Sequence, residues 1–171
     1  MKNNVSWNCP QTVFLGLGAN IKNPADNLSK AFEHLKNEVL EGACLSSLYI
    51  TEPMDVKEQP EFINAVCRGQ FRGSPQELLA AIHLIEDSLG RDRSREQRRG
   101  PRPIDIDILL FGSLVLNNPP LLVIPHERLR DRKFALVPLL EIAPDLIDPV
   151  NGAPYASYIA EIEDQLISRL N

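Results

Sequence analysis

Asp105 and Asp107 stand two residues apart in a run of strict alternation, Ile104-Asp105-Ile106-Asp107-Ile108. On an extended strand this spacing turns both carboxylates to one face, with Cα atoms about 6.6–6.8 Å apart, and leaves the isoleucines to the other. Two carboxylates sharing a strand face suit oxygen-ligated divalent cations such as Mg2+. Taken alone, the pattern is more simply a solvent-facing strand edge whose charges serve solubility. What precedes it changes that weighing. The twelve residues from Arg91 to Arg102, RDRSREQRRGPR, hold six of the chain's 12 arginines and no lysine. This stretch sums to +4, so the remainder carries −9 within a formal net charge of −5. Guanidinium forks bind phosphate oxygens bidentately where an ammonium acts as a point charge. Carboxylates able to hold Mg2+ beside Arg91, Arg93 and Arg102 therefore have the composition of a polyphosphate site. A solvated charged loop is the plainer alternative for the arginines. Coating of nucleic acid fits poorly, because the chain is acidic overall and no aromatic residue interleaves with the cluster.

Other chemistries find little support. The segment Gly16-Leu17-Gly18-Ala19-Asn20-Ile21 begins like a dinucleotide-binding loop but lacks the third glycine, and the chain contains no GxxxxGK[ST], HExxH, CxxC or GxSxG. His34 and His83 fall within helical patterns. His126 follows Pro125 after an apolar run, where a loop-end imidazole can donate a hydrogen bond to a phosphate.

These residues need a frame. Thr12 to Leu17 reads as a strand ending in a turn. Asn23 as N-cap, Pro24 at the first helical position and apolar Leu28, Phe32, Leu35 and Val39 predict an amphipathic helix. Cys44 to Thr51 and Phe62 to Phe71 read as strands around a loop. Ser74-Pro75-Gln76-Glu77 is a capping box that opens a helix running to Gly90, with the arginine loop directly after it. The Asp-bearing strand extends to Phe111, and Leu114 to Leu116 is placed as a hairpin return. Phe134 to Ile142, interrupted by Pro138, and Ala156 to Leu170 read as helical. The order β-α-β-β-α-β is the split βαβ arrangement: an antiparallel sheet, of α+β class, with two helices on one side and an added C-terminal hairpin and helical region.

The segment from Gly100 to Gly112, GPRPIDIDILLFG, resembles the signature of 6-hydroxymethyl-7,8-dihydropterin pyrophosphokinases, enzymes of folate synthesis. The similarity runs from Phe14 to about Pro149 through Leu15-Gly16-Leu17-Gly18-Ala19-Asn20, Ser46 to Tyr49, Thr51-Glu52-Pro53, Gln59 to Ala65, Ile124-Pro125-His126 and Glu141-Ile142-Ala143-Pro144. The resemblance implies a ferredoxin-like fold and transfer of the β,γ-diphosphate of ATP, the co-substrate, to the pterin hydroxymethyl group, releasing AMP. It implies Asp105 and Asp107 as ligands of two Mg2+ ions. Arg91 and Arg102 join them as the catalytic set. ATP would be held by Glu86, Arg91, Arg93, Arg102, Ile108, His126 and Arg132. The pterin would stack between Phe62 and Phe134, with Asn64 and Thr51 on its polar edge and Glu52, Pro53 and Met54 as a wall. A planar heterocycle rewards flanking rings, and one Asn satisfies both a donor and an acceptor. Arg99 before Gly100 and Glu127 after His126 depart from residues often aromatic in the family, and residues 1–10 form an N-terminal extension without counterpart.

A chain of 171 residues buries about 70% of its unfolded surface and is expected to form a single domain over residues 1–171. Three cysteines without a CxxC pair, an N-terminal segment lacking a signal-like apolar run and the absence of any 18-residue apolar stretch point to a cytoplasmic protein that does not enter a membrane. Small-molecule substrates, no nucleic acid, and a monomer or weak homodimer are expected. Two rivals stay open: a nucleic-acid-binding module using the arginine loop, and a metal-dependent phosphohydrolase using the same two carboxylates.

Overall fold

The structure, a computed structural model, describes residues 7, 9–53, 58–94, 100–163 and 165–170. Its centre is an antiparallel sheet. Strand β1 (Gln11–Ala19) lies between β4 (Phe62–Phe71) and β5 (Asp105–Phe111), and β3 (Tyr49–Thr51) follows on the far side of β4. The segment expected as one strand from Cys44 is divided. Strand β2 (Glu41–Leu45) pairs with the end of β4, the chain breaks at Ser46 to Leu48, and β3 pairs with its beginning. The break is held by Ser46, whose backbone N–H donates to Val66 O and whose hydroxyl accepts from Val66 N–H at 2.9 Å.

Alternation along β1 sorts the two faces. Val13, Leu15, Leu17 and Ala19 enter one core with Leu28, Ala31 and Leu35 of α1 (Pro24–His34) and its π-helical extension (Leu35–Val39), and with Leu78, Ile82 and Ile85 of α2 (Pro75–Ser88). The capping box forms as the sequence requires: Glu77 N–H donates to Ser74 Oγ, and Ser74 N–H to Glu77 Oε2 at 2.6 Å. At Asn23 the expected cap differs. The residue is left-handed, with φ 61°, and its carbonyl, rather than its side chain, accepts from Asn27 N–H at 3.0 Å.

On the opposite face, Phe14, Val66 and Leu109 pack against α3 (Lys133–Ile142) and Tyr155 of the short α4 (Tyr155–Ile159). The C-terminal helical region therefore covers the second face of the sheet. Pro138 sits inside α3 without ending it. Two expectations for the tail are corrected. Leu116 belongs to a separate hairpin of β6 (Leu116–Asn118) and β7 (Leu122–Ile124). The long helix expected over 156–170 is one short turn of helix, and Ile167–Arg169 instead form β8, an edge strand on β3. An unpaired sheet edge offers a row of backbone partners, and that tertiary demand outweighs the local helical pattern.

Candidate active site

The face carrying α3 is only partly covered by it, and the uncovered end is a cavity of about 650 Å³. Register explains why it is open. Gly18 pairs with Asp105 on one side and Asn64 on the other, and Gly16 pairs with Asp107 and Val66. Two glycines at i and i+2 strip one face of β1, so the floor between the Asp105/Asp107 wall and the Asn64 wall is bare backbone. The space is specifically theirs: a Cβ at Gly18 would lie 3.1 Å from Asn64 Oδ1, and one at Gly16 3.3 Å from Leu109 Cδ2.

One wall is charged. Arg91 Nη1 donates to Asp105 Oδ1 and to Glu86 Oε1, both at 2.5 Å, and Arg102 Nη1 reaches Asp105 Oδ2 at 2.8 Å. Asp107 keeps 41% of its side-chain surface exposed, toward the cavity. Enclosure by the walls and the nearby Asp105 charge raise its carboxyl to about 7, against the opposing pull of Arg132 and Arg102. His126 Nε2 lies 3.9 Å from Asp107 Oδ2. Burial, then Arg132, hold its imidazole down to about 4. Its Nδ1 accepts from Arg128 N–H at 3.2 Å, which assigns the ring proton to Nε2, the nitrogen nearer the cavity carboxylate. Arg102 is placed by Asn20, whose Oδ1 accepts its N–H at 2.8 Å while Nδ2 donates to Gln59 Oε1 and Pro60 O.

The other wall is amide and aromatic. Asn64 Nδ2 donates to Thr51 Oγ1 at 2.8 Å, with both residues buried. That bond leaves the Thr51 hydroxyl proton and the Asn64 carbonyl oxygen for a third partner. Phe62 and Phe134 line the cavity, each under a guanidinium: Arg102 at 5.7 Å from the Phe62 centroid and Arg132 at 5.4 Å from that of Phe134.

Of the residues singled out from the sequence, Thr51, Glu52, Phe62, Asn64, Arg91, Arg93, Arg102, Asp105, Asp107, His126, Arg132 and Phe134 share this cavity. Three do not line it. Glu86 is 0% exposed and lies behind the arginines, accepting from Arg91, Arg93 and Ile106 N–H. Ile108 is packed in the core of the opposite face. Pro53 stands outside the lining, and Met54 lies outside the described residues. Sequence reasoning missed the paired glycines as a floor, and Asn20 as the brace of Arg102. The signal for the first was present: glycines two apart in an otherwise apolar strand.

The donor set fits Mg2+ and an anion. Asp105 and Asp107 present oxygen donors on one strand face, and a cation there would oppose the burial and the Asp105 charge that raise the Asp107 carboxyl. Arg102 Nε is buried without a hydrogen-bond partner, a donor free for an oxyanion. Among the described residues no cluster of three or more His, Cys, Asp or Glu forms, so substrate oxygens and water would complete any coordination shell.

Fold and cavity together are those of a ferredoxin-like α+β protein with a carboxylate–arginine wall facing an amide–aromatic one. Residues 14–144 match the family model of 7,8-dihydro-6-hydroxymethylpterin-pyrophosphokinase (HPPK). The chain is 40% identical to the 2-amino-4-hydroxy-6-hydroxymethyldihydropteridine pyrophosphokinase of Pseudomonas aeruginosa, over 94% of this chain and 97% of that one. It is 36% identical to the Haemophilus influenzae enzyme of the same name, over 94% and 98%. Against the folic acid synthesis protein fol1 of Pneumocystis carinii, identity is 40% over 90% of this chain, which spans only 20% of that longer protein. Wild-type Plasmodium falciparum HPPK-DHPS, solved with STZ-DHP, superposes with a TM-score of 0.70 at 15% identity, over 94% of this chain and 45% of that one. The chain belongs to the HPPK family and is an enzyme, a pyrophosphokinase.

Proposed function

We propose that the enzyme acts in folate synthesis, transferring the β,γ-diphosphate of ATP to the hydroxyl of 6-hydroxymethyl-7,8-dihydropterin and releasing AMP. The observation that carries this reading is the juxtaposition of the two walls across one bare strand: an amide–aromatic pocket for a flat ring and an arginine–carboxylate pocket for a polyphosphate. Phe62 and Phe134 stack the ring. Asn64 Oδ1 and the Thr51 hydroxyl meet donors and acceptors on its edge, and Glu52 borders that pocket, with Pro53 and Met54 assigned the same role.

Arg91, Arg93, Arg102 and Arg132 bind the triphosphate, which draws the guanidiniums from the Phe62 and Phe134 faces and frees both rings for the pterin. Asp105 and Asp107 would hold two Mg2+ ions, supplying charge neutralisation at the triphosphate. His126, neutral with its proton on Nε2, donates a hydrogen bond to the departing phosphate region and does not act as a general acid near pH 7. Glu86 acts through Arg91 and not by touching nucleotide, and Ile108 contributes through its backbone on β5. The hydroxyl attacks the β-phosphorus in line, the bond to the α-phosphate oxygen breaks, and rate comes from positioning and charge more than from a strong base.

A cytoplasmic setting is part of the same proposal, since the free thiols Cys9, Cys44 and Cys67 suit a reducing compartment. The decisive assay incubates the protein with ATP, Mg2+ and the hydroxymethyl-dihydropterin. AMP and pterin diphosphate formed only when the pterin is present are the expected products. ADP, or phosphate released without pterin, would favour the phosphohydrolase instead.

A further inference from the structure

We propose that Gln165, on the C-terminal segment, is a positioning residue that sets the Arg132–Phe134 side of the cavity while its segment braces the Thr51 side. The segment reaches the site from outside the residues that match the family, which end at 144. Strand β8 pairs Ile167 with Thr51, and Leu170 N–H donates to Leu48 O at 2.8 Å, so the tail lies along the strand that carries the amide wall's threonine. Two residues before β8, the Gln165 side chain turns to the start of α3, on the Arg132–Phe134 side of the cavity. Its Oε1 accepts from Lys133 N–H at 2.8 Å and its Nε2 donates to Asp131 O at 2.8 Å.

Those two backbone groups bracket Arg132. There the chain leaves a 3-10 turn (Leu129–Asp131) and enters α3, with Arg132 at φ −120° and ψ 101°. Arg132 supplies no side-chain cap to α3, so the Lys133 N–H, one of the orphan donors of the first turn, takes its partner from Gln165. The bend so fixed aims two cavity residues at once: Arg132, and Phe134 beneath its guanidinium. Only a side chain offering an acceptor and a donor together satisfies both groups, and an amide does so without charge. One residue thus sets the angle of the Arg132–Phe134 wall while its own segment braces β3. The inference rests on the proposed reaction for what the cavity holds, and on hydrogen bonds alone for the geometry.

The test uses the full chain and the variants Gln165→Met, which keeps length and loses both bonds, and Gln165→Glu, which keeps the acceptor for Lys133. KM and kcat are measured separately for ATP and for hydroxymethyl-dihydropterin, with amide hydrogen exchange at Lys133 and Phe134. Gln165→Met is expected to raise both KM values about three- to tenfold, the loss of one or two hydrogen bonds, with kcat changed less than KM. Gln165→Glu is expected to recover part of that loss, through the Lys133 N–H alone. KM values for Gln165→Met within about twofold of wild type, or a loss that Gln165→Glu does not recover, would overturn the proposal. Wild-type protein that makes no AMP would refute the reaction and leave Gln165 to be judged by exchange. Faster exchange at Lys133 in Gln165→Met than in Gln165→Glu supports it, and equal rates overturn it.

Discussion

Replacing Glu86 by Ala is expected to unsettle the fold before it weakens ATP. The carboxylate is 0% exposed and accepts from Arg91 Nη1, itself only 8% exposed, at 2.5 Å and from Ile106 N–H at 2.7 Å, with Arg93 on its other oxygen. Burial raises its pKa, and the Arg91 charge and the Ile106 N–H oppose that rise. Ile106 lies between the two cavity aspartates, which makes Glu86 the point where helix α2, the arginine loop and β5 are joined. Truncation strands the buried Ile106 N–H and takes one of two carboxylates from the buried Arg91 guanidinium, which keeps Asp105. Breaking a buried ion pair from one side costs about 3–5 kcal/mol, and this overlaps the 1–3 kcal/mol or so of an unsatisfied N–H. For a chain of this size each kcal/mol moves Tm by about 2–4 °C, so Glu86→Ala should melt about 6–20 °C below wild type. Calorimetry at pH 7 measures this, and an ATP titration of AMP release runs beside it. Adding Arg91→Ala to Glu86→Ala should cost less than the two single changes combined, since the Glu86–Arg91 pair can be lost only once. A Tm within about 2 °C of wild type, together with a tenfold rise in KM for ATP, would refute the reasoning and make Glu86 a direct nucleotide ligand.

Gly18→Ala places a Cβ 3.1 Å from Asn64 Oδ1, so the amide must give way. Affinity for the pterin, read by titration with a non-reactive ATP analogue present, should fall about tenfold while ATP affinity changes little, and unchanged pterin affinity would sink the floor argument. Asp107→Asn removes one carboxylate of the cation pair and should lower AMP formation at saturating Mg2+ about a hundredfold or more, so wild-type turnover there would exclude the metal assignment. Asp148, away from the site, is 0% exposed; burial works against its ionisation, but hydrogen bonds from Arg130 and from Val150 N–H outweigh it and hold its pKa below 3.8. A depressed carboxyl stabilises fully above the unfolded value and loses that contribution as pH falls through the folded one. Acid unfolding of Asp148→Asn should therefore depend less on pH below about 3.8 than that of wild type, and parallel curves would contradict it.

Local chemistry made the central frame legible. Ser74-Pro75-Gln76-Glu77 has one low-energy use, as a helix start, and Ile104 to Ile108 alternates too strictly to be anything but a strand, which runs on to Phe111. The errors lie where partners distant in sequence decide. Cys44 to Thr51 looks like one strand because nothing in its own composition announces that Ser46 will bond Val66 and break the ladder. The tail looks helical because its apolar spacing is read without the open edge of β3 that claims Ile167 to Arg169. The site follows the same division. Asp105, Asp107 and the arginines declare themselves by type and spacing. That Glu86 is off the cavity lining, behind the arginines, is not legible in this way, because its complete burial is a tertiary fact that its place in the helix does not announce.

The position of the glycines explains why the two walls face each other at the distance they do. Glycine inside a strand costs about 0.5–1 kcal/mol relative to Ala, so two in one strand are a poor choice unless bare backbone is itself useful. Strand β1 can bear the loss because it is paired on both sides, with β4 along its whole length and with β5 over most of it. An edge strand would fray under the same substitution. Being central, β1 also separates Asp105 on β5 from Asn64 on β4, both registered on Gly18. Two inter-strand spacings set those walls about 9.6 Å apart at Cα. A side chain on β1 would fill that span, whereas Gly16 and Gly18 leave it open for a ring on one side and phosphates on the other. The strand that contributes no functional group to the cavity is thus the one whose sequence is most tightly limited by it.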